Sequence, residues 1–189
     1  RPGMTKLCEH GNAVFSRYPI GNVGAVRHKP NKSWFEVADE PRLGGRVLVH
    51  ADVKIGDKYL HVYSVHYESS PVDNDVTVAQ AVQTAELGLA RPFGVIAGGD
   101  TNAPFYFIDL LNPDNPPLDK TTQAFFERGY SDTHASLPRQ DRATVSDAGL
   151  VIDLMFQRHV DVSAPTVCPK SVCASLSDHL PIWATVTLR

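Results

Sequence analysis

The chain has 189 residues, of which 42% are hydrophobic and 21% are charged, and its formal net charge is −3. This length suits one domain over residues 1–189, and the composition excludes disordered, collagen-like and coiled-coil chains. No apolar run approaches the ~18 residues that a membrane span needs, and we expect no signal peptide at Arg1. Because the net charge is negative, any contact with nucleic acid must be local.

Apolar and alternating segments, bounded by Gly, Pro and Asn, predict the secondary structure. The first strand is predicted to begin a hairpin that turns at residues 21–22. Residues 46–53 and 59–66 are predicted to form a second hairpin. In the first helix, the predicted buried face carries Val78, Val82, Ala85 and Leu89. The Pro-rich and Asn-rich residues 112–117 form a loop. The predicted elements, in chain order, are strands at residues 13–18, 46–53 and 59–66, a helix at 75–91, a strand at 93–97, a helix at 121–128, and strands at 150–156 and 181–188.

This order of elements predicts an α/β fold of mixed sheets with helices outside them. The three cysteines, Cys8, Cys168 and Cys173, are too few for a disulfide framework. Cys168 and Cys173 could pair around a tight loop. Buried thiols are the expected state, because no export signal is evident.

Polar residues stand at several predicted strand ends, where functional sites are commonly built. His66 closes one strand, although a single terminal histidine is more often an ordinary surface residue. Gly98 and Gly99 allow a sharp turn that brings Asp100 and Asn102 to one small volume. An Asx turn that only caps its own loop is the alternative for this motif.

Asp153 lies inside an apolar strand, where a carboxylate needs a partner to offset its desolvation. On an edge strand it would instead face water. Asp178 and His179 point opposite ways on extended backbone and so serve different neighbours. We expect His179 to pair with Asp153, because a carboxylate on one ring nitrogen sets the tautomer and leaves the other nitrogen for substrate.

Carboxylates of Asp100, Asp153 and Asp178 that meet at one mouth would repel one another, and either raised pKa values or a cation would relieve the repulsion. Oxygen ligands favour Mg²⁺, Mn²⁺ or Ca²⁺ over zinc. A divalent cation with His and Asp indicates phosphoester chemistry, in which the cation and imidazolium offset charge on the phosphate oxygens.

An ordered set of five short motifs, the first of which has two parts, resembles the endonuclease/exonuclease/phosphatase superfamily. The motifs are GNA at residues 11–13, SRYPI at 16–20, VHYES at 65–69, GDTN at 99–102, IDL at 152–154 and SDHLP at 177–181. The resemblance implies a four-layer α/β/β/α sandwich of two mixed sheets and Mg²⁺-dependent cleavage of a phosphoester bond.

By matching position, the resemblance implies a role for each site residue. Asp100 would activate or align the attacking water, and Asn102 would orient Asp100 and contact a phosphate oxygen. His179, held by Asp153, would contact the scissile phosphate. The remaining roles are a metal ligand at Asp178 and a phosphate contact or leaving-group assistance at His66.

The chain departs from the family pattern at its start, which lacks the strand with Asn and the strand with the metal-ligand Glu. Two alternatives to an active enzyme therefore stay open. The chain could be a non-catalytic phosphate-binding fragment, or a second chain could complete the sheet and the site as a homodimer.

The substrate class is left open among nucleic acid, nucleotide, and phospholipid or inositol headgroup. Arg139, Arg142 and Lys170 could form a phosphate-binding rim or be solvated surface residues. With a net charge of −3, long duplex DNA is disfavoured relative to a small or local phosphoester.

Overall fold

The computed structural model describes residues 11–31, 45–69, 75–103, 119–145 and 149–189. The predicted loop at residues 112–117 and Cys8 lie outside these ranges. The elements are β1 (Ile20–Arg27), β2 (Val47–Ile55), β3 (Lys58–His66), α1 (Asp75–Leu89), β4 (Gly94–Asp100), α2 (Lys120–Phe126), β5 (Ser131–Asp132), a 3₁₀ turn (Arg139–Asp141), β6 (Asp153–Arg158), β7 (Val160–Val167), α3 (Lys170–Cys173) and β8 (Ile182–Leu188).

Six strands form one mixed sheet in the order β1-β2-β3-β4-β6-β5, and β7 and β8 form a second, two-stranded sheet. Strands β3 and β4 are parallel, whereas the other neighbours in the large sheet are antiparallel. A parallel pair needs a long crossover, and α1 supplies it. The predicted α/β class is confirmed.

Helices α1 and α2 cover one face of the large sheet and enclose the main core. Alternate residues of β3, such as Tyr63 and Val65, are buried on this face. Phe125 of α2 stacks on Phe156 of β6 with ring centroids 4.0 Å apart. Asp119 caps α2 by accepting a hydrogen bond of 2.9 Å from the backbone N–H of Thr122.

The buried face of α1 matches the predicted one only in part, because Ala85 is buried and Val82 packs against the core, but Val78 is only partly buried. The helix buries small and polar side chains, and Leu89 is 42% exposed. Small residues are needed because α1 packs closely: a Cβ at Gly88 would lie 1.9 Å from the Tyr130 hydroxyl oxygen and 3.3 Å from Cγ1 of Val95 in β4. The buried residues of α1 are Thr77, Gln80, Ala81, Thr84, Ala85 and Gly88.

Two strand predictions at the ends of the chain are corrected. Residues 13–18 form no strand, and the predicted turn at residues 21–22 lies inside β1, where the register shifts between Gly21 and Gly24. A bulge absorbs the turn-forming residues there. The sequence analysis also missed β7, because Pro165 and an irregularity between Ser163 and Thr166 hide its alternation.

The expectation of free thiols at Cys168 and Cys173 is wrong, because the two residues form a disulfide with Cα atoms 6.2 Å apart. The short helix α3 curls the chain between them and brings the sulfur atoms together. The disulfide packs with Leu180 in a small apolar cluster of its own.

The β7–β8 sheet lies on the face of the large sheet opposite the helices. A Cβ at Gly94 of β4 would collide with Val160 of β7 on that face, and the Lys58 ammonium donates a hydrogen bond of 3.1 Å to the Leu188 carbonyl. None of the helices in the described ranges is long and apolar enough to cross a membrane.

Candidate active site

Three polar side chains meet where three neighbouring strands reach one edge of the large sheet. Strands β3 and β4 end there, and β6 begins there. The register pairs His66 with Asp100 and Asp100 with Asp153. Residues opposite one another in adjacent strands project to the same face, so the topology places these three side chains together. Asp153 is therefore the first residue of its strand and not an interior one as predicted.

Gly99 allows β4 to deliver Asp100 at this edge. Its φ of +146° belongs to a region that favours glycine, and a Cβ there would lie 2.0 Å from the Val65 carbonyl oxygen of β3. The prediction that the glycine pair provides unusual backbone freedom holds at Gly99.

Asn102 closes a tight turn after Asp100. Its backbone N–H donates to the Asp100 carboxylate at 2.9 Å, and its side-chain amide donates to the Tyr67 carbonyl at 2.9 Å. The residue has a φ of +48°. An Asx turn is thus present at Asp100, but the Asn102 side chain bonds the Tyr67 carbonyl outside this turn, and the backbone N–H of Asn102 orients the Asp100 carboxylate.

His179 and Asp153 form the pair that the sequence analysis expects, with Nδ1 and Oδ2 2.8 Å apart. A carboxylate only accepts, so the Nδ1–H of His179 donates and the proton occupies that nitrogen. In the neutral ring, Nε2 then carries no proton and can accept a hydrogen bond.

Ligand atoms of Asp100, Asp153 and His179 all lie within 4.8 Å of one another. Burial raises the pKa of Asp100 to about 6, and the nearby Asp153 charge adds to this effect. The carboxyl of Asp100 therefore changes charge close to neutral pH.

The imidazole of His179 also has a raised pKa, although burial acts on this group in the opposite direction. Burial lowers its pKa, but the charge and hydrogen bond of Asp153, together with Asp100 and Asp178, outweigh burial and raise the pKa above its usual value. The site thus favours a cationic ring beside two carboxyl groups.

His66 and Asp178 lie around this group. The Nε2 atom of His66 is 3.4 Å from the Asp100 carboxylate. Asp178 is exposed and is not part of the group of three; its carboxylate lies 3.4 Å from the Ser177 hydroxyl, which can donate to it. Its role as a metal ligand stays a prediction.

Two supports of this site were not predicted from the sequence. Thr101 and Thr144 are 1% exposed and bond the backbone of Ile152. The Arg46 guanidinium pairs with the buried Glu68 at 3.4 Å, and its charge slightly opposes the raised pKa of Asp100. Thr101 lies in the GDTN motif but had no predicted role, and Thr144 and Arg46 lie outside the motifs, because the roles of all three depend on contacts across the sheet.

Arg142 of the predicted basic rim is engaged elsewhere. Its guanidinium is paired with the carboxylate of Asp132. Lys170 begins α3, and Arg139 begins the 3₁₀ turn. A phosphate-binding role for these three residues stays a prediction.

The donor set of the site fits a hard divalent cation. Two carboxyl groups offer the oxygen ligands that Mg²⁺ and Mn²⁺ prefer, and bringing Asp100 opposite Asp153 creates negative charge for a cation to offset. Asp100 and Asp153 are the residues that would hold it, and one ring nitrogen of His179 lies within 4.8 Å of their carboxylate oxygens.

Several solved structures share the arrangement of these strands and helices over most of the chain. The endonuclease/exonuclease/phosphatase from Bacteroides vulgatus is 15% identical and aligns with a TM-score of 0.66 over 91% of this chain and 67% of its own. The chain has the endonuclease/exonuclease/phosphatase fold.

Two further structures with this fold come from vertebrates. D. rerio TDP2, complexed with a single-strand DNA product, is 17% identical with a TM-score of 0.61, over 89% of this chain and 68% of that one. The human Nocturnin catalytic domain, with bound sulfate, is 14% identical with a TM-score of 0.63, over 90% of this chain and 60% of that one.

Curated relatives extend the likeness to sequence. The chain is 28% identical over 180 residues to the uncharacterised protein YbhP of Escherichia coli K12, which covers 95% of this chain and 63% of that protein. YbhP of Shigella flexneri matches with the same values. The chain thus spans less than two thirds of the length of these relatives. No family model matches it.

Proposed function

We propose that the chain carries the catalytic face of a divalent-metal-dependent hydrolase that cleaves phosphoester bonds. The observation that carries this proposal is the convergence of Asp100, Asp153 and His179 within 4.8 Å, from three segments far apart in sequence. Two carboxyl groups and an imidazole at the strand ends of this fold can bind a cation, accept a proton and stabilise charge on phosphate.

Asp100 acts as the proton acceptor for the attacking water. Its pKa of about 6 leaves the carboxylate mostly ionised at neutral pH but basic enough to take a proton. The Asn102 N–H bond to one carboxylate oxygen holds the group in a fixed orientation.

His179 contacts the scissile phosphate through Nε2. Asp153 holds the opposite ring nitrogen and favours the charged ring, whose pKa is raised. An imidazolium at this position stabilises the extra negative charge that the phosphate oxygens acquire during water attack.

The remaining roles follow the resemblance. His66, beside Asp100, contacts the phosphate or assists the leaving group, Asn102 contacts a phosphate oxygen, and Asp178 serves as a metal ligand. A bound Mg²⁺, or Mn²⁺ or Ca²⁺ in its place, supplies charge neutralisation at the phosphate oxygens.

The substrate belongs to the phosphodiesters or phosphomonoesters of nucleic acid, nucleotide, or phospholipid and inositol headgroups.

Residues 1–189 are proposed to act as one domain, and the full arrangement is proposed to be the four-layer sandwich. The helices, the large sheet and the β7–β8 sheet support three of those layers. A homodimer that completes the sheet is the proposed assembly to examine by light scattering.

The test measures hydrolysis of a chromogenic phosphodiester and of the matching phosphomonoester, with Mg²⁺ and with a chelator. Asp100→Asn and His179→Gln should each lower kcat by about 10²-fold or more. Asp161→Asn is the control, because Asp161 lies on β7, is exposed and pairs with Arg189.

Equal activity in the wild type and both site variants would overturn the proposal. Wild-type protein that binds inorganic phosphate in calorimetry but does not turn over either ester would also overturn it, in favour of the non-catalytic phosphate-binding alternative.

A further inference from the structure

Thr144 joins the two chain segments that carry Asp153 and His179. It is 1% exposed. Its hydroxyl oxygen accepts hydrogen bonds from the backbone N–H of Ile152 at 3.2 Å and of Asp153 at 3.1 Å. Its backbone carbonyl accepts from the N–H of Leu180, the residue after His179, at 2.6 Å. One buried residue therefore sets the spacing of both backbones.

A second threonine ties the Asp100 segment to the same place. The backbone N–H and the hydroxyl of Thr101 both donate to the Ile152 carbonyl, each at 2.8 Å. The peptide groups around Ile152 are thus held by Thr101 on one side and by Thr144 on the other. The segments bearing Asp100, Asp153 and His179 are linked in that order.

We propose that Thr144 is a positioning residue that holds Asp153 and His179 at hydrogen-bond distance. The catalytic part of this inference rests on the proposed function. The Thr144 hydroxyl bonds only backbone groups among the described residues, donating to the Leu150 carbonyl and accepting from Ile152 and Asp153. It acts on the site through the backbone that carries Asp153.

The physical argument is geometric. The 2.8 Å bond between His179 and Asp153 joins side chains whose backbones come from different segments, so a shift of either backbone lengthens it. Without the hydroxyl, the N–H groups of Ile152 and Asp153 lose their acceptor, and β6 must move to recover one. A misplacement of ~1 Å can cost ~10²-fold in rate.

The experiment compares Thr144→Val, which keeps the side-chain shape, with Thr144→Ser, which keeps the hydroxyl. Thr84→Val is the matched control, because Thr84 is fully buried and bonds the Gln80 carbonyl on α1. The first readout is the low-field Nδ1 proton resonance of His179 in NMR, assigned by its loss in His179→Gln. The second is kcat and KM on the phosphodiester.

Thr144→Val should lose or shift the Nδ1 resonance and lower kcat about 10- to 100-fold with KM nearly unchanged. Thr144→Ser should restore both readouts, and Thr84→Val should change neither. If the valine variant does not fold, Thr144→Ala takes its place. An unchanged resonance in the variants that lack the hydroxyl, or its loss in Thr144→Ser or Thr84→Val, would overturn the inference.

The NMR readout needs no turnover. If the wild type hydrolyses no ester but the resonance follows the hydroxyl at residue 144, the proposed function fails and the positioning role stands. If the wild type is active and the Nδ1 resonance is the same in all Thr144 variants, the positioning role fails and the proposed function stands.

Discussion

Asp100 is a residue whose placement costs folding free energy. It is largely buried, and the register sets it opposite Asp153, so like charges face each other across two strands. A site of this kind trades stability for chemistry, because the charge that hinders folding is the charge that attracts a cation and accepts a proton.

We therefore predict that Asp100→Asn stabilises the metal-free protein while abolishing hydrolysis. A folded-state pKa raised to about 6 means that the ionised group destabilises the fold at neutral pH. Removing that charge should raise the free energy of unfolding by on the order of 2 kcal/mol at pH 7.5. Urea unfolding without metal measures it.

Asp178→Asn is the matched control for this prediction, because Asp178 is exposed and its charge is solvated. Its unfolding free energy should change by less than about 0.5 kcal/mol. A destabilised Asp100→Asn protein would show that the carboxylate has structural partners that outweigh the repulsion.

At the scale of the element, α1 packs on the sheet through small residues. Replacing an exposed glycine in a helix by alanine normally raises the free energy of unfolding by about 1 kcal/mol. Gly88 faces the buried Tyr130, whose hydroxyl donates to the Ala85 carbonyl at 3.2 Å, so that the added methyl group has no room.

For α1 we predict that the glycine-to-alanine substitution destabilises the protein instead of stabilising it. Gly88→Ala should lower the unfolding free energy by about 1–3 kcal/mol, as overpacking does. Leu89→Ala should change it by less than about 1 kcal/mol, because Leu89 is 42% exposed. Thermal unfolding of the two neighbouring variants compares them, and a larger loss for Leu89→Ala would contradict the observed helix face.

The Cys168–Cys173 disulfide should contribute measurably to the free energy of unfolding. It closes a short loop around α3 and packs on Leu180, next to His179. A short loop closed by a disulfide stabilises by about 2 kcal/mol through loop-closure entropy.

Replacing both cysteines by serine should therefore lower the unfolding free energy by about 2 kcal/mol. A reducing agent should lower that of the wild type equally and leave the double variant unchanged. Denaturant unfolding with and without reductant makes the comparison. Insensitivity of the wild type to reductant would contradict the prediction.

At the scale of the whole molecule, buried titratable groups couple folding to pH. His28 is 1% exposed and its Nδ1 atom lies 3.1 Å from the Gln83 side-chain oxygen. Burial lowers the pKa of His28 despite this bond. The unfolded chain then binds more protons than the folded chain below the usual histidine pKa of 6.5, so His28 lowers stability as the pH falls through that value.

The measurable quantity is the difference between the wild type and His28→Gln, since Asp100 titrates with the opposite sign in the same pH range. The stability of the wild type relative to His28→Gln should decline as the pH falls from 7.5 to about 5.5. Urea unfolding at both values measures it. A difference that is independent of pH would show that His28 stays solvated when folded.

Local patterns predicted much of this molecule. The hairpin of β2 and β3 and the helices α1 and α2 arise from alternation, helical spacing and turn-forming residues, which act between residues close in sequence. The pairing of His179 with Asp153 was also predicted, because a carboxylate in an apolar segment needs a donor, although Asp153 begins its strand instead of lying inside it. Short motifs in a fixed order indicated the fold.

Contacts between distant segments decided the rest. The buried face of α1, the strand β7, the disulfide and the supports at Thr101 and Thr144 depend on which backbone lies opposite which. The sequence by itself determined the residue types of the site and the elements that carry them. Only the tertiary structure determined their distances and charge states, because strand register and burial arise from the packing of the whole sheet.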